Sequence, residues 1–128
     1  MSERRILIVD DEQIVGATMC RLLESEGYVA TLAAEPARAL EILEKSEKPF
    51  CLALLDLNLK HMTGEALAVQ IHRIDPSLPL IAVTGMALPI LARHGGNGGF
   101  AGALEKPFPR DQLLQIVEQH LRLDVPEG

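Results

Sequence analysis

"ILIVDDEQ", residues 6–13, carries four apolar residues straight into two adjacent carboxylates, Asp10 and Asp11, with a third acid, Glu12, behind them. An apolar run that uniform has no wet face, so it reads as a strand inside a sheet covered on both sides. Working outward, "RILIVD" (5–10), "YVATLA" (28–33), "CLALLD" (51–56), "PLIAVTG" (79–85) and "AGALEK" (101–106) read as five strands. Between them apolar residues recur at helix spacing: Val15, Met19, Leu22 and Leu23; Leu40 and Leu43; Leu67, Ile71 and Ile74; Leu113, Leu114, Val117 and Leu121. Each such stripe can lie on a sheet. Strands alternating with helices predict an α/β fold, a doubly wound five-stranded parallel sheet of order 2-1-3-4-5 with helices on both faces.

Composition bounds the possibilities. At 128 residues, 48% hydrophobic and 23% charged, the chain reads as a single domain over 1–128 with one aliphatic core, since aromatics are scarce. A formal charge of −6 argues against a nucleic-acid surface. No apolar run is long enough to span a bilayer, and "MSERR" lacks the apolar stretch of a signal peptide, so a cytoplasmic protein is expected. Cys20 and Cys51 have no metal-type spacing and read as reduced packing residues.

In open α/β sheets ligands bind beyond the carboxyl ends of the strands. Asp10, Asp56 and Thr84 close strands there, and Lys106 does so if Pro107 ends the fifth. Crowded carboxylates repel unless a cation shares their site. Mg²⁺ suits oxygen ligands and takes one or two carboxylates directly, a role open to Asp11 and Asp56. Aspartate, Mg²⁺, lysine and hydroxyl together point to phosphoryl transfer, where the protein positions groups and neutralises charge.

"VDDE" (9–12), "LLDLNLKHMTG" (54–64), "IAVTG" (81–85) and "LEKPF" (104–108) stand in the order and at the spacing of one family. With them the chain resembles the receiver domain of bacterial two-component response regulators, over nearly its whole length. The resemblance implies a flavodoxin-like fold, a phosphorylated aspartate at Asp56, and Mg²⁺ held by Asp11, Asp56 and the Asn58 carbonyl, with Asp10 acting mainly through water. It implies a Thr84 hydroxyl and a Lys106 ammonium on the phosphoryl group, and a cis Lys106–Pro107 bond. Asn58 and Met86 would border the path of an attacking water and set the lifetime of the acyl phosphate. The expected donor is a histidine kinase or a histidine phosphotransfer protein, and the expected downstream partner is an effector protein or output domain that the sequence does not name. Such a protein assists its own phosphorylation and dephosphorylation without being a turnover enzyme.

Blander readings compete at each motif. "DDEQ" could be a capping box with Asp10 as the cap and Gln13 three residues on. His61, His72, His94 and His120 lack ligand spacing and read as solvated surface. Two alternatives of other classes remain: an adaptor that works without phosphorylation, and a haloacid-dehalogenase-type phosphatase, whose usual second acid two residues after the nucleophile is absent at Asn58.

Departures from the family pattern also carry expectations. Ala103 stands where an aromatic residue usually moves inward on phosphorylation, so that switch is missing, and Phe100 falls in the loop or the opposite register. Lys60 replaces a common proline, which predicts a looser turn. In "TGMALPILARHGGNGGFAG" Pro89 and the glycines of residues 94–99 predict a fourth helix short or disordered, limited to about Pro89–Arg93, with a mobile loop after it.

Overall fold

The computed structural model of the protein describes residues 3–85 and 99–122. Along the chain come β1 (Arg5–Val9), α1 (Gln13–Glu24), β2 (Val29–Ala33), α2 (Pro36–Lys45), β3 (Leu52–Asp56), α3 (Gly64–Ile74), β4 (Leu80–Thr84), β5 (Gly102–Glu105) and α4 (Arg110–His120). All four strand pairs are parallel, as the alternation of periods predicts, and the order is the expected β2-β1-β3-β4-β5. The Pro89–Arg93 segment, Met86, His94 and the glycines before Gly99 lie outside the described residues.

Hydropathy explains which strands are central. Every residue of β3 and β4 is buried, whereas β2 and β5 stand at the two edges with partly exposed residues. Alternate side chains feed two cores. On one face Leu7, Val9, Ala53, Leu55 and Ala82 meet Ala39 of α2 and Leu67, Ala68 and Ile71 of α3. On the other, Ile6, Ile8, Leu54, Ile81 and Val83 meet Met19 and Leu23 of α1 and Leu113 and Val117 of α4. Each fully buried aliphatic side chain contributes about 1.5–3 kcal/mol of transfer free energy. Cys51 is buried, Cys20 half-buried, and both are free thiols.

Two expectations change. The capping reading of Asp10 is wrong: α1 begins at Gln13 with Glu12 in the cap position, and the Asp10 carboxylate instead accepts the Glu12 N–H just ahead of the helix. His72 and His120 are half-buried rather than solvated, each held by a main-chain carbonyl, that of Leu78 at 3.0 Å and that of Ile116 at 2.9 Å. The other ring nitrogen and Cε1 of each lie against Gly99 (His72) and Gly102 (His120), where a Cβ would stand 3.2–3.4 Å from them. Phe100 does precede the strand in a loop, but it is buried in the same core that Ala103 packs against. Ala103 itself is half-buried beside Ala82, one strand away.

Candidate functional site

Four strand ends converge on one rim. Asp10 follows β1 and its N–H continues the ladder to the Ala33 carbonyl; Asp56 ends β3; Thr84 ends β4; Lys106 follows β5, its N–H bonded to the Thr84 carbonyl at 2.7 Å. The parallel register sets Asp56 beside Val83 and Thr84 beside Glu105, so these ends lie at one level. Asp10, Asp56 and Thr84 are the buried polar residues of the fold among the described residues. The Lys106–Pro107 peptide is cis, as the resemblance implies.

Each carboxylate is held by a main-chain N–H. Asp10 Oδ1 accepts from Glu12 at 2.9 Å and Asp56 Oδ1 from Asn58 at 3.0 Å, both short Asx-type links within one loop. Asp11 Oδ2 accepts from Lys60 at 3.0 Å, across 49 residues of sequence. The turn after β3 is therefore not loose, as the missing proline predicts, but tied to the β1–α1 loop. It closes through the Gly64 N–H on the Leu57 carbonyl. Gly64 has to be glycine, because a Cβ there would lie 2.8 Å from Leu57 Cα and 2.9 Å from the Asp56 carbonyl oxygen. Thr63 caps α3 behind it, accepting the Ala66 N–H.

Lys106 reaches into this group. Its Nζ lies 3.3 Å from Asp56 Oδ2, 3.5 Å from Asp10 Oδ2 and 3.7 Å from Glu12 Oε1. Burial alone would lower the lysine's pKa, but the Asp10 and Asp56 carboxylates outweigh it and hold the ammonium above its ordinary value. Burial also pushes the Asp10 carboxyl up, against the Glu12 N–H and Lys106, which pull it down. One ammonium thus faces several carboxylates, of which Asp10 and Asp56 are buried, and the balance at Asp10 remains unfavourable to its charge.

Asp10, Asp11 and Asp56 each offer a carboxylate oxygen within 4.8 Å of the others. That donor set is all oxygen, suited to a hard divalent cation. Asn58 is exposed at the same loop. Of the sequence-predicted residues, Asp10, Asp11, Asp56, Asn58, Thr84, Lys106 and Pro107 share the rim, Ala103 stands back along β5, and Met86 lies outside the described residues. Sequence reasoning missed the Lys60 N–H, a main-chain donor that no side-chain motif signals, and the pairing of Glu12 with Lys106.

Residues 6–118 match the family model of the response regulator receiver domain. The chain belongs to the response regulator receiver family. The receiver protein CpdR of Brucella abortus is 33% identical over 118 residues, covering 92% of this chain and 97% of that one. Sensor protein TorS of Escherichia coli is 32% identical over 121 residues, and there the chain, 94% covered, spans only 13% of the relative. Among solved structures, a CheY-like receiver domain of Methanospirillum hungatei superposes with a TM-score of 0.83 at 33% identity, covering 92% of this chain and 93% of that one. Chemotaxis response regulator CheY4 of Vibrio cholerae gives 0.84 at 25% identity, over 94% and 100%. The chain is a signalling receiver domain of the two-component type. Among the described residues no helix is long and apolar enough to cross a membrane.

Proposed function

We propose that this receiver, residues 1–128 as one domain, takes a phosphoryl group from a phosphohistidine onto Asp56 in the cytoplasm, with Mg²⁺ bound at Asp10, Asp11 and Asp56. The observation that carries this reading is the meeting of Asp56 Oδ2 with Lys106 at 3.3 Å inside a cluster of carboxylates that one lysine does not neutralise. Asp11 and Asp56 would hold the cation directly with the Asn58 carbonyl, and Asp10 would act mainly through water. The bound ion supplies positive charge against the phosphoryl oxygens.

This chain's own groups do the rest. The Asn58 N–H fixes the Asp56 carboxylate, so the nucleophile needs no reorientation. A bond forms from an Asp56 oxygen to phosphorus as the bond from phosphorus to the donor nitrogen breaks. Lys106, held charged by its carboxylate neighbours, then pairs with a phosphoryl oxygen, and the Thr84 hydroxyl at the next strand end takes another. Water later cleaves the acyl phosphate, along a path bordered by Asn58. Each cycle depends on a fresh donor, so the domain is a switch and not a turnover enzyme.

The donor is a histidine kinase or histidine phosphotransfer protein, and a protein effector reads the result; neither step calls for nucleic acid or membrane. Lys106 leads from the rim into an apolar groove lined by Ile14, Val15, Met19, Leu22, Pro107 and Phe108. Ile14 is 84% exposed there. A protein that delivers phosphate to Asp56 must sit beside Lys106, and we assign the groove to that donor.

The test is intact mass after incubation with acetyl phosphate. A phosphoryl adduct that needs Mg²⁺ and disappears in Asp56→Asn supports the reading. With no adduct from acetyl phosphate or from a phosphorylated donor protein, a phosphorylation-independent adaptor replaces it.

A further inference from the structure

We propose that the main-chain N–H of Lys60 is a positioning group for the cation site, holding Asp11 in the orientation from which it binds Mg²⁺. The inference rests on the Mg²⁺ reading above and adds a part to that site. Three carboxylates form the cluster, and each is oriented by one N–H. For Asp10 and Asp56 that donor is two residues away, so the same short loop that carries the acid also aims it. For Asp11 it comes from the β3–α3 loop, 49 residues on, at 3.0 Å.

Asp11 is also the acid with the least help from burial. It is only half-buried, whereas Asp10 and Asp56 are enclosed and face Lys106. A half-buried carboxylate on a loop has several rotamers, and a fixed donor selects one of them. The anchor uses a single acceptor position on Oδ2, and a carboxylate offers about four, so the group remains able to ligate a cation. Lys60 itself is held in place from both sides: the strand end precedes it, and the Gly64 N–H on the Leu57 carbonyl closes the loop around it. The donor exists because residue 60 is not proline, which has no N–H to give.

The geometry also links two parts of the molecule. A cation that draws on Asp11 favours the loop position from which Lys60 donates, and by reciprocity a loop so placed favours the cation. Loop 57–63 therefore becomes more ordered when Mg²⁺ binds.

The experiment compares Mg²⁺ binding by calorimetry in the wild type, Lys60→Ala and Lys60→Pro, with no phosphodonor present. Alanine keeps the N–H and should leave the Kd unchanged; proline removes it and should raise the Kd about tenfold, the usual order for loss of a group that orients a ligand. Equal Kd values in all three overturn the proposal, as does an equal loss in both variants, which would assign the effect to the lysine side chain. Wild type that takes up no Mg²⁺ removes the Mg²⁺ reading and this proposal together, an outcome distinct from either. Amide hydrogen exchange gives a second measurement that needs no proline: the Lys60 N–H should be protected in the wild type and lose that protection in Asp11→Ala. Free-peptide exchange at Lys60 in the wild type overturns the proposal.

Discussion

Lys106 Nζ stands 3.3 Å from Asp56 Oδ2, although 50 residues separate the two in sequence. The ammonium thus reaches the proposed phosphoacceptor before any phosphoryl group is present, and its other neighbour, Asp10, keeps it charged. Replacing it should slow chemistry more than binding. Lys106→Ala is expected to lower the rate of phosphorylation by acetyl phosphate about 10²-fold, the scale for losing one group that stabilises developing negative charge. Time-resolved intact mass at saturating Mg²⁺ measures it. Because the folded lysine titrates above its ordinary value, its contribution to stability is present at neutral pH and is lost as pH rises through that raised value. The stability gap between wild type and variant should therefore close only in strongly alkaline solution.

Asp10 behaves in the opposite sense. Its carboxyl is held above the ordinary range, chiefly by burial, so in the absence of a cation its ionised form opposes folding. An acid whose folded pKa is raised contributes stability at low pH that is lost as pH rises through the raised value. In EDTA at pH 7, Asp10→Asn is expected to melt a few degrees above the wild type, about 2–8 °C for a change near 1 kcal/mol. The gap should shrink as pH falls toward the ordinary carboxylate range. In Mg²⁺ the order should reverse, since the wild type gains binding free energy that the variant forgoes. Calorimetric scans with and without the ion decide it.

Gly64 sets how closely α3 can approach the end of β3. A methyl group there meets main-chain atoms, Leu57 Cα at 2.8 Å and the Asp56 carbonyl at 2.9 Å, which have less freedom to yield than a side-chain tip. Gly64→Ala should cost about 1–3 kcal/mol, the range for overpacking a fitted site. Urea unfolding should show a lower midpoint at unchanged slope. Since the displaced carbonyl belongs to Asp56, the proposed phosphoacceptor, phosphorylation should slow as well. Gly16→Ala serves as the comparison, because its close neighbours are the methyl groups of Leu32.

The contrast between these residues shows what could be read from the chain alone. Asp10, Asp56, Thr84 and Lys106 were legible because each ends a strand whose apolar run announces it, and parallel strands bring their carboxyl ends to one rim. The parallel pairing of the strands is legible in the alternating period, but their order is not, because other doubly wound sheets share that alternation. The anchor at Lys60 was not legible, for a hydrogen bond from a main-chain N–H depends on where a loop comes to rest, and residue type signals only that the donor exists. His72 and His120 were misread for a related reason. Each sits opposite a glycine whose missing side chain leaves room for a ring, a pairing between distant segments that helix periodicity does not encode.

Ile14 offers a way to separate the chemistry of the rim from recognition beside it. The side chain opens the first turn of α1, is 84% exposed, and borders the groove that Lys106 and Phe108 share with Met19. Removing it should disturb neither fold nor metal site, because it buries little and belongs to neither core cluster. Ile14→Ser is neutral, so the charge around Asp56 stays as it was. Acetyl phosphate, which needs no docking surface, should phosphorylate the variant at the wild-type rate. Transfer from a phosphorylated histidine phosphotransfer protein should fall about tenfold or more, the scale of an exposed apolar residue that becomes a buried anchor in a complex. Equal slowing with both donors would place Ile14 in the chemistry instead, and no slowing with either would remove the groove from donor recognition.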